Sequence, residues 1–198
     1  FIKMKSAVNN KSINEPLRIF CLSAAHKHKN LECIPEVAYQ LKKFLKKDFI
    51  FVLTLPPESK IFKRIHKASI SLGISKNIVN KGYLNLDSVY HEYTISDCLF
   101  LPTLAEIFSA TYIEAMAMNL PIVTTRLPFA EEICGSAALF YDPLNYEEAA
   151  SQIYRILIED KLKESLTLLG SQMLSKYPNQ EEKYSTLFDF IYSCATKA

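Results

Sequence analysis

Short apolar runs alternate with amphipathic segments along most of this chain. Runs typical of buried strands occupy residues 17–22, 49–55, 78–81, 99–102, 122–125 and 138–141. Helical patterns lie at residues 31–46, 58–72, 86–96, 110–118, 146–159 and 161–177, with a short helix within 127–135. The alternation predicts an α/β fold: a doubly wound, mostly parallel Rossmann-like sheet with helices on both faces, followed by C-terminal helices.

The same pattern predicts how the chain is divided. Residues 1–15 have no clear period and are interpreted as a linker, residues 16–160 as one Rossmann-like domain, and residues 161–198 as a helical extension. The last helical pattern, residues 180–194, places four apolar side chains on one face: Tyr184, Leu187, Phe188 and Ile191. A chain of 198 residues is long enough to bury one substantial core.

The sharpest local signals surround the helix expected at residues 110–118. Ser109 is a favourable N-cap, Asn119 tolerates the left-handed conformation that ends a helix, and Pro121 prevents continuation. The N-terminus of such a helix presents unpaired N–H groups and the positive end of the helix dipole. Thr111 adds a hydroxyl, so this helix end is predicted to favour an anion.

Two carboxylates bracket this helix end. Glu106 precedes the helix, and Glu114 lies about 7 Å beyond the cap along the axis, at the usual rise per residue. This reach suits the ribose of a nucleotide whose phosphates rest at the cap. The neighbours of Glu114 are apolar, so its carboxylate requires a partner. The plain alternative is a solvated Glu106 and a Glu114 paired with a backbone donor.

The segment PTLAEIFSATYIEAMAMNLPIVTT resembles the donor-site signature of family 4 glycosyltransferases of the GT-B fold. In that signature a Glu-x-Phe-Gly loop leads into a helix carrying Glu-Ala-Met-Ala. The resemblance implies that Glu106 faces the donor sugar and that Glu114 holds the ribose hydroxyls. It also implies that the backbone of Ile107, Phe108 and Ser109 approaches the sugar or phosphates, and that Thr111 lies at the diphosphate. Ser109 stands where the family usually has glycine, which narrows the approach of a ligand to the backbone.

A second region of resemblance follows the first strand. The loop SAAHKHKN matches a family loop that ends in Lys-Asn or Lys-Gly, which implies that Lys29 holds the donor diphosphate and acts in catalysis with Glu106. The family usually has an arginine about five residues earlier, where this chain has Ala24. Three neighbours are the alternatives for that missing cation: His26, Lys27 and His28.

The resemblance also places the nucleobase beside the backbone of Gly82 and Tyr83, although an ordinary turn explains Gly82 equally well. It covers residues 17–159 and implies the donor-binding half of a retaining glycosyltransferase. Such an enzyme transfers a hexose from a nucleoside diphosphate sugar to a glycan or lipid-linked acceptor in bacterial-type surface polysaccharide synthesis. It needs no cofactor and no essential metal. An N-terminal acceptor domain is the implied partner, and the donor half alone is expected to be inactive.

Other functions share parts of this pattern. A GT-B sugar-nucleotide epimerase or phosphorylase would contain a similar half, and a non-enzymatic flavodoxin-like module would contain only the sheet. The sequence has no Gly-x-Gly-x-x-Gly segment, so a nicotinamide-binding fingerprint is absent. No nucleic-acid partner is predicted.

Charge is divided unevenly along the chain. Residues 1–82 hold 16 Lys and Arg against 5 Asp and Glu, whereas residues 83–198 hold 7 against 16, although the net charge is only +2. The basic half fits an anionic ligand, an anionic membrane surface or an ordinary solvated face. If the basic half contacts an anionic membrane, four lysines at and just beyond the end of one predicted helix would make that contact: Lys42, Lys43, Lys46 and Lys47.

The sequence has no apolar run near the ~20 residues of a membrane span, and its first residues lack the apolar core of a signal peptide. We therefore expect a cytoplasmic protein, in contact at most with the inner face of the membrane. The five cysteines show no metal-ligand spacing and are expected to be buried thiols.

Overall fold

The computed structural model describes residues 15–177 together with residues 184, 185, 188, 189 and 192. Six strands form one sheet: β1 (Leu17–Cys21), β2 (Phe49–Leu53), β3 (Ile78–Asn80), β4 (Cys98–Leu101), β5 (Ile122–Thr125) and β6 (Ala138–Tyr141). Their order is β3-β2-β1-β4-β5-β6, and every neighbouring pair is parallel. All six predicted strands are present, each within two residues of its predicted bounds.

Seven α-helices connect and follow the strands in the described part of the chain: α1 (Ile34–Phe44), α2 (Lys60–Ser71), α3 (Leu86–Ile95), α4 (Ala110–Ala117), α5 (Pro128–Cys134), α6 (Tyr146–Ile158) and α7 (Asp160–Leu174). Buried residues of α1, α2 and α6 pack on one face of the sheet, and those of α3, α4 and α5 on the other. Strand β1 serves both faces, because Ile19 and Cys21 belong to one cluster and Phe20 to the other. The predicted doubly wound α/β fold is confirmed.

Helix α7 packs against α4 at a point of close approach. A Cβ atom at Gly170 of α7 would lie 3.3 Å from Cγ of Met116 on α4. The predicted apolar face at residues 180–194 falls largely outside the described residues, which include neither Leu187 nor Ile191.

The described cysteines are buried, as expected: Cys21, Cys33, Cys98 and Cys134. Cys194 lies outside the described residues. No helix in the described ranges is both long and apolar enough to cross a membrane.

Candidate functional site

The strand order reverses direction between β1 and β4, which are neighbours in the sheet although two strands separate them in sequence. The chain passes from β1 toward one edge of the sheet and from β4 toward the other, so the loops that follow these two strands diverge. A crevice at the carboxyl ends of the strands is the usual ligand site of open α/β sheets. Both predicted motif regions lie here.

Two 3₁₀ turns follow the loop after β1, Lys27–Lys29 and then Leu31–Cys33, and lead into α1. The N–H of Lys29 donates to the carbonyl of His26 at 3.1 Å, and Asn30 then takes a left-handed conformation with φ 52°. Asparagine tolerates this conformation better than most residues, which explains the Lys-Asn pair physically. The exposed rings of His26 and His28 stack with their centroids 5.5 Å apart.

The loop after β4 is anchored on both sides. The Thr125 hydroxyl at the end of β5 donates to the carbonyl of Thr103 at 2.6 Å. The N–H of Leu104 donates to the carbonyl of His28 in the β1 loop at 2.8 Å. Beyond these anchors the loop emerges into solvent, where Ile107 is 100% exposed. The start of this loop is therefore fixed relative to the β1 loop.

Lys29 and Glu106, which are 77 residues apart in sequence, form an ion pair between Nζ and Oε1. Their side chains are 17% and 16% exposed. Burial lowers the pKa of the Lys29 ammonium from its ordinary value, whereas the adjacent carboxylate favours its charged form. The two residues predicted to act together are thus in direct contact, and an anion entering the crevice would compete with Glu106 for the cation.

Helix α4 begins at the predicted residue and ends at Ala117, one residue before the predicted end, and its N-cap differs from the expected one. Ser109 occupies the N-cap position with extended backbone, but its hydroxyl makes no capping hydrogen bond. The carbonyl of Ser109 instead accepts from the N–H of Tyr112 at 3.3 Å, which satisfies that donor locally. At the other end Asn119 has φ 53°, and the N–H of Leu120 donates to the carbonyl of Ala115 at 2.8 Å. Thr111 lies half-buried in the first turn.

Glu114 is half-buried and has a partner that sequence reasoning did not identify. Its Oε2 atom accepts a hydrogen bond from the Tyr93 hydroxyl on α3 at 2.8 Å. The expected need for a partner is therefore met by a phenol. Tyr93 is only 4% exposed, and its ring packs edge-on to Phe20, with the centroids 5.2 Å apart.

The turn after β3 holds the two remaining predicted residues. Gly82 has φ 68° and is buried, whereas Tyr83 is 79% exposed. The Asn80 side chain braces this turn: its Oδ1 accepts from the N–H of Leu55 at 3.0 Å and its Nδ2 donates to the carbonyl of Leu55 at 2.9 Å. The turn lies at the same carboxyl edge as the crevice, two strands from β1.

A buried ion-pair cluster next to the site was also missed. Glu92 on α3 is 1% exposed and contacts Arg18 on β1, with 2.6 Å between Oε2 and Nη2, and Lys81 after β3. Burial opposes its ionisation, but hydrogen bonds from Lys81 and Arg18 hold the pKa of Glu92 below its ordinary value. A charged residue in each of two predicted strands, Arg18 and Lys81, and a charged residue within a predicted helix, Glu92, were the available signals. The cluster fixes α3, which carries Tyr93.

The protein-family model described as "Glycosyl transferases group 1" matches residues 4–170. Curated protein sequences contain no match to this chain. Among solved structures, sucrose-phosphate synthase from Thermosynechococcus elongatus superposes with a TM-score of 0.76 at 15% identity, over 91% of this chain and 47% of that one. The C-terminal domain of a group 1 glycosyl transferase from Francisella tularensis gives 0.70 at 19% identity, over 81% and 85% of the two chains.

A third similar structure is a variant of TarM from S. aureus in complex with fondaparinux, α-GlcNAc-glycerol and UDP. It superposes with a TM-score of 0.74 at 16% identity, over 94% of this chain and 37% of that one. The chain thus spans less than half the length of the synthase and of TarM, and most of the length of the isolated C-terminal domain.

Proposed function

Because the chain belongs to the group 1 glycosyl transferases, we propose that it is the donor-binding half of a retaining, family 4 glycosyltransferase. The observation that carries this proposal is the contact between Lys29 and Glu106 at the point where the strand order reverses. This contact brings a cation and a carboxylate together in one crevice, beside the N-terminus of a helix, and so supports a site for a diphosphate and its sugar.

The donor in this proposal is a nucleoside diphosphate sugar. Lys29 and the first turn of α4, with Thr111, hold the diphosphate, while Glu114 holds the ribose hydroxyls. The nucleobase lies against Gly82 and Tyr83, and the sugar lies near Glu106. Ile107, Phe108 and Ser109 border the sugar. The UDP in the TarM complex supports this class of ligand.

The chemistry proposed is transfer of a hexose with retention of its anomeric configuration. The bond from the anomeric carbon to the diphosphate oxygen breaks, the bond to the acceptor oxygen forms, and the acceptor proton leaves with the diphosphate. Lys29 and the N–H groups of α4 stabilise the negative charge that develops on the departing diphosphate. Preorganised charges of this kind are effective because they need no rearrangement during the reaction.

The rest of the active protein is also part of the proposal. A second domain supplies the wall of the cleft that binds the acceptor. This part of the proposal is supported by length, since the chain spans less than half of the synthase and of TarM. Residues 16–160 form the donor domain, preceded by a linker and followed by a helical extension. The acceptor is a glycan or lipid-linked hydroxyl of a surface polysaccharide, and the enzyme acts at the cytoplasmic face of the membrane.

Calorimetric titration of the chain with UDP-, GDP- and ADP-sugars tests the donor site. Binding of one nucleotide series, weakened about tenfold in Lys29→Ala but unchanged in Lys67→Ala, is the expected result, because Lys67 is an exposed lysine of α2 outside the crevice loops. The absence of binding by every nucleoside diphosphate would refute the proposal. Transfer is tested with the full-length protein, and NMR of the product's anomeric proton decides between retention and inversion.

A further inference from the structure

The contact between Tyr93 and Glu114 joins α3, which precedes β4 in sequence, to α4, which follows it. The Tyr93 hydroxyl donates to Oε2 of Glu114 at 2.8 Å, across 21 residues of sequence. The Tyr93 ring is almost fully buried and stands at 89° to the Phe20 ring on β1. Tyr93 directly follows Glu92 in α3. The ion pairs of Glu92 with Arg18 and Lys81 therefore anchor the helix that carries the phenol.

The phenol acts as a permanent donor. Burial, and after it the negative charge of Glu114, raises the pKa of Tyr93 well above its ordinary value. A glutamate on a half-exposed helix face samples several rotamers, and a fixed donor selects one of them. One lone pair of the carboxylate is used by Tyr93, which leaves the other acceptor positions available. Because a phenol is neutral, the carboxylate keeps its full negative charge.

We propose that Tyr93 is a positioning residue for the ribose of the donor. Its hydroxyl holds the Glu114 carboxylate in the one orientation whose remaining lone pairs accept hydrogen bonds from the two ribose hydroxyls. This inference rests on the proposed function, in which Glu114 holds the ribose. Tyr93 itself does not touch the ligand, and its effect reaches the nucleotide only through Glu114.

A comparison of ribose and dideoxyribose ligands separates this role from a purely structural one. Calorimetry measures the Kd of UDP and 2′,3′-dideoxy-UDP, and of the same guanosine pair, for the wild-type chain and two variants. Tyr93→Phe removes the hydroxyl and keeps the ring against Phe20. Tyr112→Phe is the matched control: Tyr112 is fully buried, its hydroxyl lies 2.8 Å from Oγ1 of Thr124, and its loss leaves Glu114 untouched.

We expect Tyr93→Phe to weaken UDP or GDP binding about tenfold, as for other residues that orient a ligand-binding group. Binding of the dideoxy analogue should be unchanged, so the preference for ribose falls, while Tyr112→Phe keeps that preference. A preference retained in Tyr93→Phe overturns the positioning role alone. If the wild-type chain binds no nucleoside diphosphate, the proposed function fails and this inference fails with it.

A second measurement covers the case in which Tyr93→Phe does not fold. 3-Fluorotyrosine at position 93 keeps the ring and the hydroxyl, and its fluorine NMR signal reports on the hydrogen bond to Glu114. The signal should shift when UDP or GDP binds and shift less with the dideoxy analogue. Equal shifts with both ligands would show that the ribose hydroxyls do not act on this hydrogen bond, and would overturn the proposal.

Discussion

Glu106→Gln should tighten the binding of a nucleoside diphosphate while abolishing transfer by the full-length enzyme. In the structure Glu106 neutralises Lys29, the cation that the diphosphate is proposed to use. A diphosphate must displace the Glu106 carboxylate from Lys29 and then bind close to that negative charge. Glutamine keeps the shape of the side chain but removes the competing charge, so Lys29 becomes available and a nearby negative charge is lost.

The magnitude follows from the burial of the pair. Both side chains are more than four-fifths buried, so their electrostatic environment lies between water and protein interior. A carboxylate about 5 Å from one phosphate charge, at an effective dielectric constant of about 40, repels it by about 1.5 kcal/mol. Removing that repulsion corresponds to an increase in affinity of roughly tenfold. Lys29→Ala should change affinity in the opposite direction by a similar amount.

Isothermal titration with UDP and GDP, and with the corresponding nucleosides, measures these changes. Both variants should bind the nucleosides as the wild type does, because no phosphate is present. Glu131→Gln on α5 is the control for removal of a carboxylate, since Glu131 is exposed and distant in sequence from the crevice loops. Weaker or unchanged diphosphate binding by a folded Glu106→Gln variant would refute the assignment of Lys29 as the diphosphate cation.

Three further predictions concern the neighbouring groups. Glu114→Gln should weaken nucleoside diphosphate binding by about 1.5 to 3 kcal/mol, the usual worth of a hydrogen bond to a charged group, and unchanged affinity by calorimetry would count against the ribose role. Glu92→Gln should cost about 3 kcal/mol of stability at pH 7, because two partly buried cations lose their buried partner. Since the folded pKa of Glu92 is depressed from an ordinary value of 4.5, denaturant titrations should show this cost fading as the pH falls below that value; a cost independent of pH would contradict the ion-pair account. The 198-residue chain alone should bind donor weakly and transfer no sugar to glycan or lipid-linked acceptors, and retaining transfer by this chain would disprove the need for a second domain.

Much of the fold could be predicted because a parallel sheet is buried on both faces. Each strand then reads as a continuous apolar run, and each connecting helix as a periodic one. The bounds of α4 were predictable because local backbone chemistry sets them: Asn119 and Pro121 end the helix whatever packs around it. The positions of strands and helices in sequence are local information.

The side-chain partners could not be predicted, because they depend on which strands become neighbours. Apolar runs do not encode the order β3-β2-β1-β4-β5-β6, and the pairing of β1 with β4 in that order brings the loops of Lys29 and Glu106 together. The same holds for Tyr93 and Glu114, which lie on consecutive helices whose facing sides are set by packing on the sheet. The family resemblance identified the two motif regions of the site, but not the side-chain contacts between their residues.

Glu106, which precedes α4, and Glu114, which lies within it, therefore have different kinds of partner. Glu106 is paired with a cation, so a ligand at that position must exchange one ion pair for another, and its affinity depends on its own charge. Glu114 is paired with a neutral phenol and keeps both its charge and free lone pairs, so a ligand there adds hydrogen bonds without displacing a partner. A nucleoside diphosphate sugar meets both conditions, since its charged diphosphate and its neutral ribose diol lie on adjoining parts of one molecule. One carboxylate is paired with a cation and the other with a neutral phenol, and these two pairings suit the charged and the neutral parts of one ligand. This correspondence is the physical reason to propose the crevice as a nucleotide-sugar site.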